Sequence, residues 1–256
     1  MIAALPMYDW PEERAAVDAF WQALTAALGA RGLAAPEKLT RGRDLWQIWE
    51  DERLLLAQTC GLPYRQRLHG RVALVGVFDH ALPDTPPGHY HSVMVARADD
   101  PRARLAEFDG ATLALNGFDS QSGWVAAHET ASAAGIRFRR FHHSGAHRAS
   151  AAAVAEGLAD IAAIDAVTWR LVERHLPQVA ARLRVIARSA PTPALPLITG
   201  RDRPVELIAG AVAEAVAGLD PALAARLSIA GFLRLPPEAW LAVPTPPVPS
   251  QAEPAL

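Results

Sequence analysis

Residues 111–123 read Ala-Thr-Leu-Ala-Leu-Asn-Gly-Phe-Asp-Ser-Gln-Ser-Gly. The apolar run stops at Asn116-Gly117, and small polar residues lead into a helix predicted over 119–134 with Gly135 as its stop. A strand that turns directly into a helix is the repeating step of an α/β sheet. Downstream the step recurs: a strand at 136–141 before a helix at 148–156 ended by Gly157, then a strand at 160–164 before a helix at 167–181, and a strand at 183–189. Upstream, Ile2 to Leu5 form a short strand stopped by Pro6. Asp9 and Glu12 around Pro11 make a capping-box pattern, and Val17, Phe20, Trp21, Leu24 and Leu28 follow as a helical stripe. A short strand near Leu39, a helix over 45–49 and strands over 54–59, 72–78 and 93–97 complete that half. Leu54-Leu55-Leu56-Ala57 shows no alternation, as expected of a strand covered on both faces. The prediction is an α/β chain of two lobes, each a mostly parallel sheet flanked by helices.

Pro-bearing extended stretches near 88–95 and 187–196 read as two crossings, a double hinge. Lobe 1 is therefore discontinuous, residues 1–91 with 190–256, and lobe 2 is 92–189. Asp202 with Pro204 and Asp220 with Pro221 mark two further helix starts, and 236–256 is a Pro-rich tail read as irregular. Composition narrows the function. Of 256 residues 51% are apolar and 20% charged, enough for a large core, and 25 basic against 27 acidic residues leave no positive excess to recruit nucleic acid. The single Cys60 excludes an internal disulfide framework and a Cys-only zinc site. No apolar run approaches the ~20 residues that span a bilayer, so no membrane insertion is expected. The first fourteen residues lack a basic stretch followed by a long apolar one; the expectation is a cytoplasmic chain as written, periplasmic if the true start lies upstream. Walker A, G-x-G-x-x-G, G-x-S-x-G and H-E-x-x-H patterns are all missing, so neither a cofactor nor an enzymatic role is expected.

The chemistry gathers at three strand-to-helix joints. At Ser120-Gln121-Ser122-Gly123, first-turn amides without internal partners, the positive end of the helix and two hydroxyls form a cradle for a small anion that needs no Lys or Arg. The alternative is an ordinary Asp or Ser N-cap. In His142-His143-Ser144-Gly145-Ala146-His147 the four-residue spacing of His143 and His147 suggests a metal. Gly145 breaks the turn and no acid stands near, so His147 reads instead as a ligand donor, with Ser150 as a cap or second contact. Asp165, where an apolar strand ends, either caps the next helix, receives a ligand's ammonium or hydroxyl, or holds His147 in place. In the first half the matching strand ends carry Tyr8, and Thr59 beside Cys60. Clefts of α/β folds form at the carboxyl ends of strands, where all of these fall.

Taken in order, Pro6-Met7-Tyr8, Gln58-Thr59-Cys60-Gly61, Tyr90-His91-Ser92-Val93, Asp119 to Gly123, Ser144 to Ser150 and Ala163 to Trp169 resemble the substrate-binding components of phosphate, phosphite and phosphonate ABC transporters. The resemblance runs over roughly residues 2–235. It implies a two-lobed type II periplasmic-binding-protein fold that closes on a small phosphorus oxyanion between its lobes, with an ABC permease as partner. It implies Ser120, Gln121, Ser122 and Gly123 on the phosphoryl oxygens, with His147 and Asp165 as further contacts and Tyr8, Thr59 and Tyr90 from elsewhere in the chain. Two rivals use the same architecture: a cytoplasmic enzyme with His147 or Asp165 as acid or base, and a ligand sensor that signals to a partner protein.

Overall fold

The computed structural model describes residues 1–249. Twelve strands follow in chain order: β1 (Ile2–Ala4), β2 (Leu54–Gln58), β3 (Val72–Asp79), β4 (His89–Tyr90), β5 (Ser92–Arg97), β6 (Thr112–Leu115), β7 (Arg140–His143), β8 (Ile161–Asp165), β9 (Leu183–Arg188), β10 (Thr192–Pro193), β11 (Pro196–Gly200) and β12 (Gly231–Leu233). The chain divides into two units. One holds Met1–His89 with Pro193–Ala242, and the other holds Tyr90–Thr192 with the described residues from Val243 on. The sequence placed these borders two to three residues away and left the tail with the first unit. The tail groups with the second, where Pro247 and Pro249 line one cavity with Trp124, His128 and Phe138. The part of the predicted tail beyond 249 lies outside the described residues.

In the first unit the sheet order is β1-β2-β11-β3-β12. Only β1 and β2 are parallel; β11 runs antiparallel to both β2 and β3, and β12 antiparallel to β3. The helix Arg14–Gly29 buries Val17, Phe20, Trp21, Leu24 and Leu28, the stripe read from the sequence, in one core with Ile208, Ala211 and Val212 of the helix Val205–Ala217. Each such side chain contributes roughly 1.5–3 kcal/mol on burial. The start of the first helix differs from the capping-box reading. Residues 11–13 form turns, and Asp9 is paired instead with Arg41, whose guanidinium also holds Asp18. A strong cation within reach outcompetes a backbone amide for that carboxylate. No strand forms near Leu39, which is buried in a loop.

The second unit's sheet has the order β7-β6-β8-β5-β9, with β6 parallel to β7 and β8, and β5 antiparallel to β8 and β9. Both sheets are thus mixed rather than mostly parallel, because a strand that enters a unit from a crossing arrives head-on to those already there. The predicted helix over 167–181 is two, Ala166–His175 and Pro177–Ala180. Proline lacks the amide and pushes the residue before it out of helical geometry, and Leu176 sits at φ −129°, ψ 51°. The strand expected at 136–141 starts only at Arg140, after Gly135 has turned the chain at φ +72°. Among the described residues no single helix is long and apolar enough to cross a membrane.

An ion network fastens the second unit. Asp100, its side chain 1% exposed, receives Arg102 at 2.7 Å, and the same guanidinium reaches Asp160 at 2.8 Å. The hydrogen bond from Arg102 holds the Asp100 carboxyl down to about 2. A depressed acid stabilises the fold above its unfolded value near 3.8 and loses that contribution as pH falls towards 2. Stability is therefore expected to drop by about 2 kcal/mol between pH 5 and pH 2 through this group. Urea unfolding of wild type and Asp100→Asn across that range checks it: the variant starts less stable and declines less.

Candidate functional site

The carboxyl ends of β6 and β8 and the turn before the helix His147–Glu156 bring three segments of the second unit together. After β6 the chain turns at Ser120 (φ −94°, ψ 125°) into a helical stretch whose first five residues, Gln121–Val125, are wound as a π turn before the α-helix Ala126–Ala133. The helix predicted from 119 thus begins two residues later. Ser120 Oγ accepts from the Gly123 amide at 2.9 Å, and the Ser120 carbonyl accepts from the amides of Trp124 and Val125. The capping role weighed for Ser120 is therefore realised. The amides of Gln121 and Ser122 precede any carbonyl of their own helix, which is what makes a helix start attractive to anions. Ser120, Gln121 and Ser122 are all buried. Gly123 lets Asn116 close on the turn, since a Cβ there would collide with Asn116 Oδ1 and come within 3.1 Å of Ser120 Oγ.

Ser122 turns its hydroxyl to His147, with Oγ 2.7 Å from Nε2. Asp165, at the end of β8, caps the next helix with Oδ1, which accepts from Val167 at 3.1 Å and Thr168 at 2.9 Å. Its Oδ2 lies 3.7 Å from His147 Nε2. Of the three roles weighed for Asp165, capping is the one this geometry displays; its Oδ2 stands beyond hydrogen-bond reach of His147 and acts on the ring through charge. Burial pushes the His147 imidazole below its ordinary value, against the pull of the Asp165 carboxylate and the Ala163 carbonyl. The serine, histidine and aspartate do not form a nucleophilic triad. There the acid steadies the nitrogen opposite the serine, whereas here carboxylate and hydroxyl face the same one.

Two features of this site had little signal in the sequence. Ser92 Oγ donates to the Ser122 carbonyl at 2.9 Å and ties the turn to β5. Ser144 and Ser150 pair at 2.6 Å, and Ser144 Oγ also donates to the Leu115 carbonyl, so they position the loop that presents His147. Beneath the turn, Phe118 meets Trp124, Phe141 and His143 edge to face at 5.0–5.3 Å. His143 is thus part of an aromatic cluster, and among the described residues no three His, Cys, Asp or Glu gather as a metal would require. Tyr90 is buried in the crossing strand β4.

In the first unit Tyr8 follows β1 and Thr59 follows β2, the two parallel neighbours, so their strand ends lie side by side. The Tyr8 ring meets His80 edge-on at 5.6 Å, and His80 Nδ1 lies 2.7 Å from the Ser228 carbonyl. His80 was not singled out from the sequence; a lone histidine after a strand carries no distinguishing pattern. Thr59 is fully buried and its hydroxyl has no hydrogen-bond partner among the described residues.

Comparison with known proteins adds a second line. The family model described as "ABC transporter, phosphonate, periplasmic substrate-binding protein" matches residues 2–240. No curated protein sequence matches. Among solved structures, PhnD1 from Prochlorococcus marinus (MIT 9301) in complex with methylphosphonate is similar at TM-score 0.73 and 14% identity, over 94% of this chain and 95% of that one. A binding protein component of an ABC phosphonate transporter from Pseudomonas aeruginosa gives 0.69 at 18% identity, over 94% and 83%. A Xanthomonas citri protein bound to ATP gives 0.68 at 19% identity, over 93% and 92%. These likenesses establish the fold, that of two-lobed periplasmic binding proteins.

Proposed function

The chain belongs to the family of periplasmic substrate-binding proteins of phosphonate ABC transporters, and on that premise we propose that it captures a small phosphorus oxyanion on the Ser120–Gly123 turn. The observation that carries this reading is the buried helix start, with Ser122 hydrogen-bonded to His147 at 2.7 Å and no Lys or Arg in the turn. Neutral donors of that kind suit a tetrahedral oxyanion held by several short hydrogen bonds. Gln121 and Ser122 contact the oxygens, with His147 beside them, and Gly123 lets the turn close by giving its amide to Ser120. Asp165 supports His147, and Tyr8, Thr59 and Tyr90 are further ligand contacts. The protein acts as a carrier that hands its ligand to a permease on the outer side of the cytoplasmic membrane, and no bond is made or broken. Membership in a family of substrate-binding components sets the enzyme alternative, with His147 or Asp165 as acid or base, behind this one.

Thermal unfolding with methylphosphonate, phosphite, phosphate and sulfate tests the reading. A ligand present at about 100 Kd stabilises by roughly 2.7 kcal/mol, which for a chain of this size raises Tm by about 5–10 °C. A rise with at least one phosphorus oxyanion is expected, and no rise with any of them would remove the proposal.

A further inference from the structure

His147 faces three oxygens that no neutral imidazole satisfies together. Nε2 meets Ser122 Oγ at 2.7 Å and Asp165 Oδ2 at 3.7 Å. Nδ1 is buried without a hydrogen bond of good geometry among the described residues, while the Ala163 carbonyl acts on the ring in the sense that favours a proton. With the proton on Nδ1, the Nε2 lone pair faces the Asp165 carboxylate, and the Ser122 hydroxyl must donate to Nε2. With the proton on Nε2, the Nδ1 lone pair lies buried without a hydrogen bond among the described residues. An imidazolium presents an N–H to each side. What opposes it is the cost of a charge on a ring only 12% exposed. Among the described residues Asp165 is the charged side chain that acts on His147; Ser122 and Ala163 offer uncharged oxygens.

We propose that capture of the anion is coupled to uptake of one proton by His147, with Asp165 as the positioning residue that supplies the standing negative charge. The proton reverses the Ser122–His147 hydrogen bond. The ring becomes the donor, Ser122 Oγ the acceptor, and the serine O–H is released to donate to the ligand. Asp165 serves without leaving its cap, because Oδ1 stays with the amides of Val167 and Thr168 while Oδ2 faces the ring. This rests on the phosphorus-oxyanion reading and adds how the same site is controlled.

The experiment is a proton–carbon NMR titration of the histidine Cε1 signals in the free and the methylphosphonate-saturated protein, with His147→Gln identifying the signal by its loss. The midpoint for His147 is expected below about 6.5 in the free protein and at least one pH unit higher in the complex. Asp165→Asn retains an oxygen for the helix cap. It should lower the bound midpoint and weaken binding about tenfold at pH 7.5, with the gap to wild type narrowing at pH 5.5. A midpoint that ligand leaves in place overturns the coupling, as does an Asp165→Asn affinity equal to wild type at both pH values. Should methylphosphonate, phosphite and phosphate all fail to bind, the functional reading falls and the coupling with it; binding without a shifted midpoint removes the coupling alone.

Discussion

Ser122→Asp is expected to abolish binding of methylphosphonate, with Kd raised a thousandfold or more. The substitution places a carboxylate where the hydroxyl now lies 2.7 Å from His147 Nε2. Two like charges about 4 Å apart at an effective dielectric of about 20 repel by about 4 kcal/mol, which is about a thousandfold in Kd. The new carboxylate is also a tethered competitor, since it can take the first-turn amides and the imidazole for itself. Ser122→Ala removes one hydrogen bond without adding charge and should weaken binding about ten- to a hundredfold. Calorimetric titration of both variants gives the order. Binding by Ser122→Asp equal to wild type would show that the ligand lies elsewhere. Thermal unfolding of the unliganded variants separates this from misfolding, which the buried position of Ser122 makes a necessary control.

Gly123→Ala should have the next largest effect. Its Cβ has no room between Asn116 Oδ1 and Ser120 Oγ, so the turn must open or Asn116 must move. Overpacking of this kind costs about 1–3 kcal/mol of stability. Displacing the amides that meet the ligand should also weaken binding about a hundredfold. The pair is separable by a cycle: Asn116→Ala combined with Gly123→Ala removes the obstacle and should recover most of the lost stability. Full additivity of the two changes would show that Asn116 is not what Gly123 accommodates.

The parts of this molecule legible in its sequence are those governed by neighbours along the chain. Asp165 and Asp220 each accept from amides two and three residues on, and each stands at a helix start as read. The stripe from Val17 to Leu28 is buried because its spacing matches one helical face. The Ser120–Gly123 turn, His147 and Asp165 converge because strand ends of one sheet do so. What escaped depends on partners far away in sequence. Asp9 looks like a cap until Arg41 arrives thirty-two residues later. β11 carries no strand signal of its own, since the crossing read over 187–196 ends on its first residue, Pro196, and its place between β2 and β3 is decided by pairing. Ser92 anchors the Ser120–Gly123 turn through a bond across thirty residues, and a lone serine ahead of an apolar strand announces nothing of the kind.

The position of β11 governs the order in which the chain matures. It separates β2 from β3 and hydrogen-bonds to both, so within residues 1–89 a slot separates the pair β1–β2 from β3, whose other neighbour, β12, also comes later in the chain. The second unit's sheet is drawn entirely from residues 92–188 and can close while that slot still gapes. The earlier-made unit is therefore finished last, once Pro196–Gly200 and then Gly231–Leu233 have paired, and a chain halted at residue 190 would leave one edge of β2 and both edges of β3 raw and inviting aggregation.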